Sequence, residues 1–260
     1  MSAFNVARVV SGLLLLLIFL LFLSCNNNGI LDSAGKQPIQ SDAGDVVISS
    51  DQMITNLHGP VQESGVTSKQ SKRTVTRNNS ETLTADKNTF ETYIQMGIIS
   101  FTEKSYTRSV NMFTKAIDLN PRVGVVFFHR GNSYLHLRQY EEAIVDFDMA
   151  LKFDPKVSQT YNSRGRSYSG KGDHESAIGD FNSAIELDPS DPIPFYNRGS
   201  SYQLLGQRED AIVDFSRAIE LDSSFVHAYY NRGWAYKELG KQDLAALDFD
   251  MTCKLGNLMC

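Results

Sequence analysis

From Phe90 onward the chain repeats itself every 34 residues, and that period constrains the fold more than any local pattern does. Five units begin at Phe90, Gly124, Ser158, Pro192 and Val226. Each has glycine at its eighth position (Gly97, Gly131, Gly165, Gly199, Gly233) and an aromatic residue at its fourth (Tyr93, Phe127, Tyr161, Phe195, Tyr229). Phenylalanine recurs at position 24 (Phe113, Phe147, Phe181, Phe215, Phe249). A unit of this size cannot bury an apolar face alone, so neighbouring units must stack and share a continuous core. The last four units also carry tyrosine at position 11 (Tyr134, Tyr168, Tyr202, Tyr236) and alanine at position 20 (Ala143, Ala177, Ala211, Ala245). Prolines close the first three at Pro121, Pro155 and Pro189.

Apolar residues within each half-unit follow a helical period, as in Ala211-Ile212-Phe215-Ala218-Ile219. Small residues at positions 8 and 20 let two antiparallel helices approach, and the aromatics fill the space around them. Gly172, Gly206 and Gly240 fall at position 15, where the chain must leave the first helix and glycine accommodates a left-handed turn. Each unit therefore reads as a helix-turn-helix hairpin.

This pattern resembles the tetratricopeptide repeat, with a large residue at 4, Gly at 8, Tyr at 11, Ala at 20, an aromatic at 24 and Pro at 32. The resemblance covers residues 90–259 and implies an all-α, right-handed superhelical solenoid of five hairpins: 90–123, 124–157, 158–191, 192–225 and 226–259. It further implies that the first helix of each hairpin lines a concave groove through positions 2, 5, 9, 12 and 13. Those positions nominate Phe128, Asn132 and His136, then Asn162 and Arg166, then Tyr196, Ser200 and Gln203, then Tyr230, Trp234 and Lys237. Phe128, Tyr196 and Tyr230 read equally well as packing between repeats. A mixed aromatic and polar groove suits an extended peptide or a protein helix. The carboxylate clamp known in the family needs Lys at position 5 with Asn at position 9, and here Asn132 accompanies Phe128.

Position 7 departs from the family pattern. It is Arg130, Arg164, Arg198 and Arg232 in the last four repeats but Met96 in the first. Position 23 follows it, being Asp146, Asp180, Asp214 and Asp248 in those repeats but Met112 in the first. The joint loss predicts an Arg–Asp bridge inside each hairpin, since pairing between neighbours would set Arg130 against Met112.

The amino-terminal part is different in kind. Arg8 precedes an apolar run from Val9 to Leu23 that ends in Ser24-Cys25 and a polar Asn stretch. At about 15 residues the run is short for a bilayer span, which needs about 20, and its layout is that of a secretory signal. The stretch Leu21-Phe22-Leu23-Ser24-Cys25 resembles a bacterial lipoprotein signal. That resemblance implies a signal peptide over 1–24, cleavage before Cys25 and acylation of that cysteine, with palmitate among the expected chains. Two or three such chains anchor a protein stably where one does not. Residues 25–86 are rich in Ser, Asn, Gln, Thr and Gly and have no aromatic residue. Such a composition cannot offset the entropy of ordering, so a disordered tether is expected before a repeat domain over 87–260.

Composition excludes several classes. A net charge of -5 without a Lys/Arg cluster argues against nucleic-acid binding. Three cysteines and five scattered histidines give no zinc spacing, and no phosphate loop or nucleophile motif is present, so neither an enzyme nor a cofactor or metal is expected. At the end of the fifth hairpin, Leu247, Met251, Leu255, Leu258 and Met259 would lack a covering helix, which marks the end as a self-association or partner surface. Cys253 and Cys260 are close enough in sequence for a local bridge in an oxidising compartment. The sequence thus points to a lipid-anchored scaffold in a bacterial envelope that binds a protein or peptide in its groove. The alternative is a solute-uptake component holding a small hydrophobic ligand, which a closed pocket rather than an open groove would indicate.

Overall fold

The computed structural model describes residues 79–256, with side chains from 89 onward. The expected signal segment, Cys25, most of the expected tether, and Leu258, Met259 and Cys260 lie outside the described residues. Among the described residues there are ten α-helices and no strand. They are α1 (Asn79–Thr102), α2 (Tyr106–Leu119), α3 (Gly124–His136), α4 (Tyr140–Phe153), α5 (Ser158–Lys171), α6 (His174–Leu187), α7 (Pro192–Leu204), α8 (Arg208–Leu221), α9 (Val226–Glu238) and α10 (Gln242–Lys254). Helices pair as α1/α2, α3/α4, α5/α6, α7/α8 and α9/α10, and each second helix packs on the first helix of the next pair.

One boundary differs from the sequence reading. Helix α1 starts at Asn79, inside the stretch assigned to the tether through residue 86. Propagating a helix that packing has already nucleated adds one backbone bond per residue fixed, so α1 runs outward past the repeat's own limit.

Each hairpin closes where glycine 8 meets phenylalanine 24. A β-carbon on Gly131 would come within 2.8 Å of the Phe147 ring, and one on Gly165 within 2.7 Å of Phe181. The rings are correspondingly buried: Phe113, Phe147, Phe181 and Phe215 are at most 1% exposed. Full burial of such a side chain contributes about 1.5–3 kcal/mol. Alanines at positions 20 and 27, among them Ala177, Ala184, Ala211 and Ala218, are fully buried and keep the helix axes close. Repeat one has Ser109 in place of the first alanine, and its hydroxyl hydrogen-bonds the Gly97 carbonyl at 2.9 Å and Ser133 Oγ of the next repeat at 2.9 Å.

The turns between paired helices share one conformation. Gly172, Gly206 and Gly240 have φ of 88°, 77° and 74°, while Lys104 and Arg138 hold the equivalent place at 57° and 58°. Entry to the following hairpin is fixed by side-chain caps in places: Asp191 accepts from the Ile193 amide at 2.9 Å with Pro192 opening α7.

Candidate functional site: the repeat groove and its arginine ladder

Every arginine at position 7 grips the aspartate at position 23 of its own hairpin. Arg130 donates through Nε and Nη2 to Asp146 at 2.8 and 2.7 Å, and Arg164, Arg198 and Arg232 do the same to Asp180, Asp214 and Asp248 at 2.7–2.8 Å. The remaining Nη1 donates backwards to position 25 of the preceding repeat: to Thr114 at 3.1 Å, Asp148 at 2.5 Å, Asn182 at 2.6 Å and Ser216 at 2.9 Å. The guanidinium fork fits a carboxylate in two parallel bonds and still has a donor to spare, which lysine cannot reproduce. Burial pushes the Asp146, Asp180 and Asp214 carboxyls up, and the facing arginine draws each back towards the ionised form. The position-4 ring of each of these hairpins also lies beneath its cation, as with Arg164 at 5.6 Å from the Tyr161 centroid. The arginines are 17–20% exposed and the aspartates they grip 2–8%, so the ladder is largely withdrawn from water and joins successive repeats.

A cavity of about 380 Å³, open to solvent, lies across repeats one to four. Its lining includes Tyr106, His136, Arg138, Arg166, Ser200 and Leu204. Tyr106 opens α2 and stacks on His136 with centroids 4.5 Å apart and planes 9° apart. One repeat on, Tyr140 opens α4 against Gly170, where any side chain would run into its ring. The same rung is an ion pair at the last junction, Arg208 to Glu238 at 2.6 Å. Position 17 of one repeat thus meets position 13 of the next, and the Tyr106–His136 and Tyr140–Gly170 contacts form the groove wall.

The nominated contact residues divide between groove and interior. Arg166, Ser200 and Tyr196 touch the cavity, as does His136. Phe128 and Asn162, by contrast, are packing residues, 8% and 5% exposed, and Tyr196 is 1% exposed despite its edge on the cavity. For Asn162 and Tyr196 the reason is the parallel offset of successive first helices, which turns position 5 towards position 6 of the next repeat. Asn197 Nδ2 donates to Asn162 Oδ1 at 2.9 Å, and Asn231 Nδ2 donates to the Tyr196 hydroxyl at 3.0 Å. Tyr230 and Trp234 pack around Phe249 with centroids 5.9 Å apart in both pairs, and Lys237 Nζ sits 4.4 Å from the Trp234 ring centre. Asn132 is half-buried on α3. Gln203 is 8% exposed, with both amide atoms buried and unpartnered.

Sequence reasoning missed Arg138, Tyr106 and Tyr140, which line the groove from the turn and from the start of the second helix rather than from the first helix. The signal was present at position 15, where two repeats carry a cation in place of glycine.

The expected uncovered end also reads differently. Leu247 is 62% exposed, yet Val145 and Val213 occupy the same position 22 in interior repeats and are 61% and 67% exposed. Leu247 is therefore outward-facing by its place in the hairpin, whatever follows it.

Stacked hairpins with an open lateral groove define an α-solenoid of the kind that interacts through its surface. Residues 125–157 match the tetratricopeptide repeat model, and residues 165–206 and 202–240 match the TPR repeat model. The chain belongs to the tetratricopeptide repeat family. Similar solved structures include MamA from Desulfovibrio magneticus RS-1, at 17% identity over 64% of this chain and 94% of that one, TM-score 0.60. PilF of Pseudomonas aeruginosa matches at 15% identity over 66% and 79% of the two chains, TM-score 0.60. YrrB, a TPR protein with an unusual peptide-binding site, matches at 19% over 69% and 93%, TM-score 0.55. These likenesses establish the fold. No curated protein sequence matches the chain.

Proposed function

We propose that this chain is a lipid-anchored scaffold of a bacterial envelope whose repeat array holds an extended segment of a partner protein in its groove. The groove carries the reading: a 380 Å³ depression open to solvent, with aromatic, cationic and hydroxyl side chains presented together. Extended segments are recognised by such mixtures, since aromatic anchors supply contact area while polar groups fix orientation. An enclosed apolar chamber, which the solute-uptake alternative requires, would be lined differently. The peptide-binding role of YrrB is consistent with this use of a similar stack.

Anchoring rests on the sequence around Cys25, and no described helix is long and apolar enough to cross a membrane. Photo-crosslinkers placed at Ser200 and Leu204, and on the outward face at Val145 and Val213, test the groove in cells. Adducts confined to the groove positions are expected, and adducts confined to Val145 and Val213 would reject it. Radiolabelled palmitate incorporation that persists in Cys25→Ala would reject the anchor.

A further inference from the structure

The left-handed turn at position 15 is filled by glycine in repeats three to five, and by Lys104 and Arg138 in repeats one and two. At φ of 58° a side chain crowds the following carbonyl, so Arg138 is strained where glycine would not be. Three sister turns in the same molecule form with glycine, so the turn itself does not call for a cation. Strained backbone of this kind tends to persist where the side chain has a use. Arg138 lines the groove, as do Arg166 and His136. Among the described residues that line it there is no Asp or Glu, in a chain whose net charge is -5.

We infer that the groove across repeats one to four takes an acidic, extended segment of a partner protein, with Arg138 held at its rim to bind a carboxylate. This rests on the groove reading above and adds the chemistry of the ligand. Guanidinium groups bind carboxylates in two parallel hydrogen bonds, and a groove walled by Tyr106 and Tyr140 supplies flat contact area beside them. A concave site suits a chain segment that enters it, whereas a lipid surface would have to reach the arginines from outside.

The test pans the full chain, held in detergent, against a random linear peptide library and measures the selected peptides on wild type and Arg138→Gly. Selected sequences enriched in Asp and Glu over the input are expected, with affinity about tenfold weaker or more on Arg138→Gly. The same variant should melt about 2–4 °C higher, because it relieves the turn, which separates lost binding from lost folding. Selected peptides without acidic bias, or equal binding by Arg138→Gly, overturn the inference while leaving a peptide groove in place. If no peptide is selected, the groove reading falls as well. A synthetic peptide of residues 30–52, which carries Asp32, Asp42, Asp45 and Asp51, is the competitor. Should it bind more tightly than any selected sequence, or should phosphatidylglycerol vesicles bind through Arg138 instead, the assignment to a partner protein is overturned.

Discussion

Arg198 and Asp214 stand sixteen residues apart in the chain and meet across the α7/α8 hairpin through two hydrogen bonds of 2.8 and 2.7 Å. Asp214 is 4% exposed and Arg198 20%, so the pair is largely withdrawn from water. The third bond of the same guanidinium, to Asn182 at 2.6 Å, belongs to the previous repeat. One side chain therefore closes its own hairpin and fastens it to the one before.

Removing one partner leaves the other charged and buried, so Arg198→Ala and Asp214→Ala should each cost about 3–5 kcal/mol. The double variant should cost clearly less than their sum. Chemical denaturation of the three variants checks this; strictly additive losses would mean that the two residues are not coupled.

Asn231 depends on a single described contact, its bond to the Tyr196 hydroxyl, and its Oδ1 is already buried without a partner. Tyr196→Phe takes that contact away and should cost about 1–3 kcal/mol, out of proportion to one lost oxygen. Tyr196→Phe combined with Asn231→Leu should recover part of the loss in the same denaturant titration. No recovery would show that the amide is satisfied in another way.

Gly165 has no room for a methyl group, with the Phe181 ring 2.7 Å from where its β-carbon would stand. Gly165→Ala should destabilise by about 1–3 kcal/mol through overpacking, and Phe181→Leu should relieve part of that cost. Thermal melts of the single and double variants decide it; an unchanged melting temperature for Gly165→Ala would place the hairpin closure elsewhere.

His129 is buried between Phe113, stacked at 5.6 Å, and Phe128, edge-on at 5.4 Å. Burial pushes its pKa down to about 4. The unfolded chain binds this proton near pH 6.5 and the folded one does not, so stability is complete above that value and is lost as pH falls towards 4, by about 3 kcal/mol in all. His129→Asn, the residue found at the same position in repeats four and five as Asn197 and Asn231, should flatten most of that slope. His227, also pushed down by burial, would retain the remainder. An unchanged pH profile of stability in His129→Asn would assign the slope to other groups.

The sequence by itself determined the hairpins, their number and their core. A period of 34 residues with glycine, alanine and phenylalanine at fixed places permits only stacking, and the coincident replacement of both charges in repeat one, by Met96 and Met112, located the Arg–Asp bridges of the other four. Those features are local or repeat-internal, so periodicity records them directly. Only the tertiary structure decided which faces remain open. Asn162 and Tyr196 occupy positions that a single helix would leave exposed, and the offset between successive first helices buries them against the next repeat, while Phe128 is buried against Phe147 of its own hairpin. The backward bond of each arginine and the groove wall built from Tyr106, Tyr140 and Arg138 arise in the same way, from the angle at which one hairpin settles on another. That angle is set by the summed packing of two surfaces and is written at no one position of the repeat.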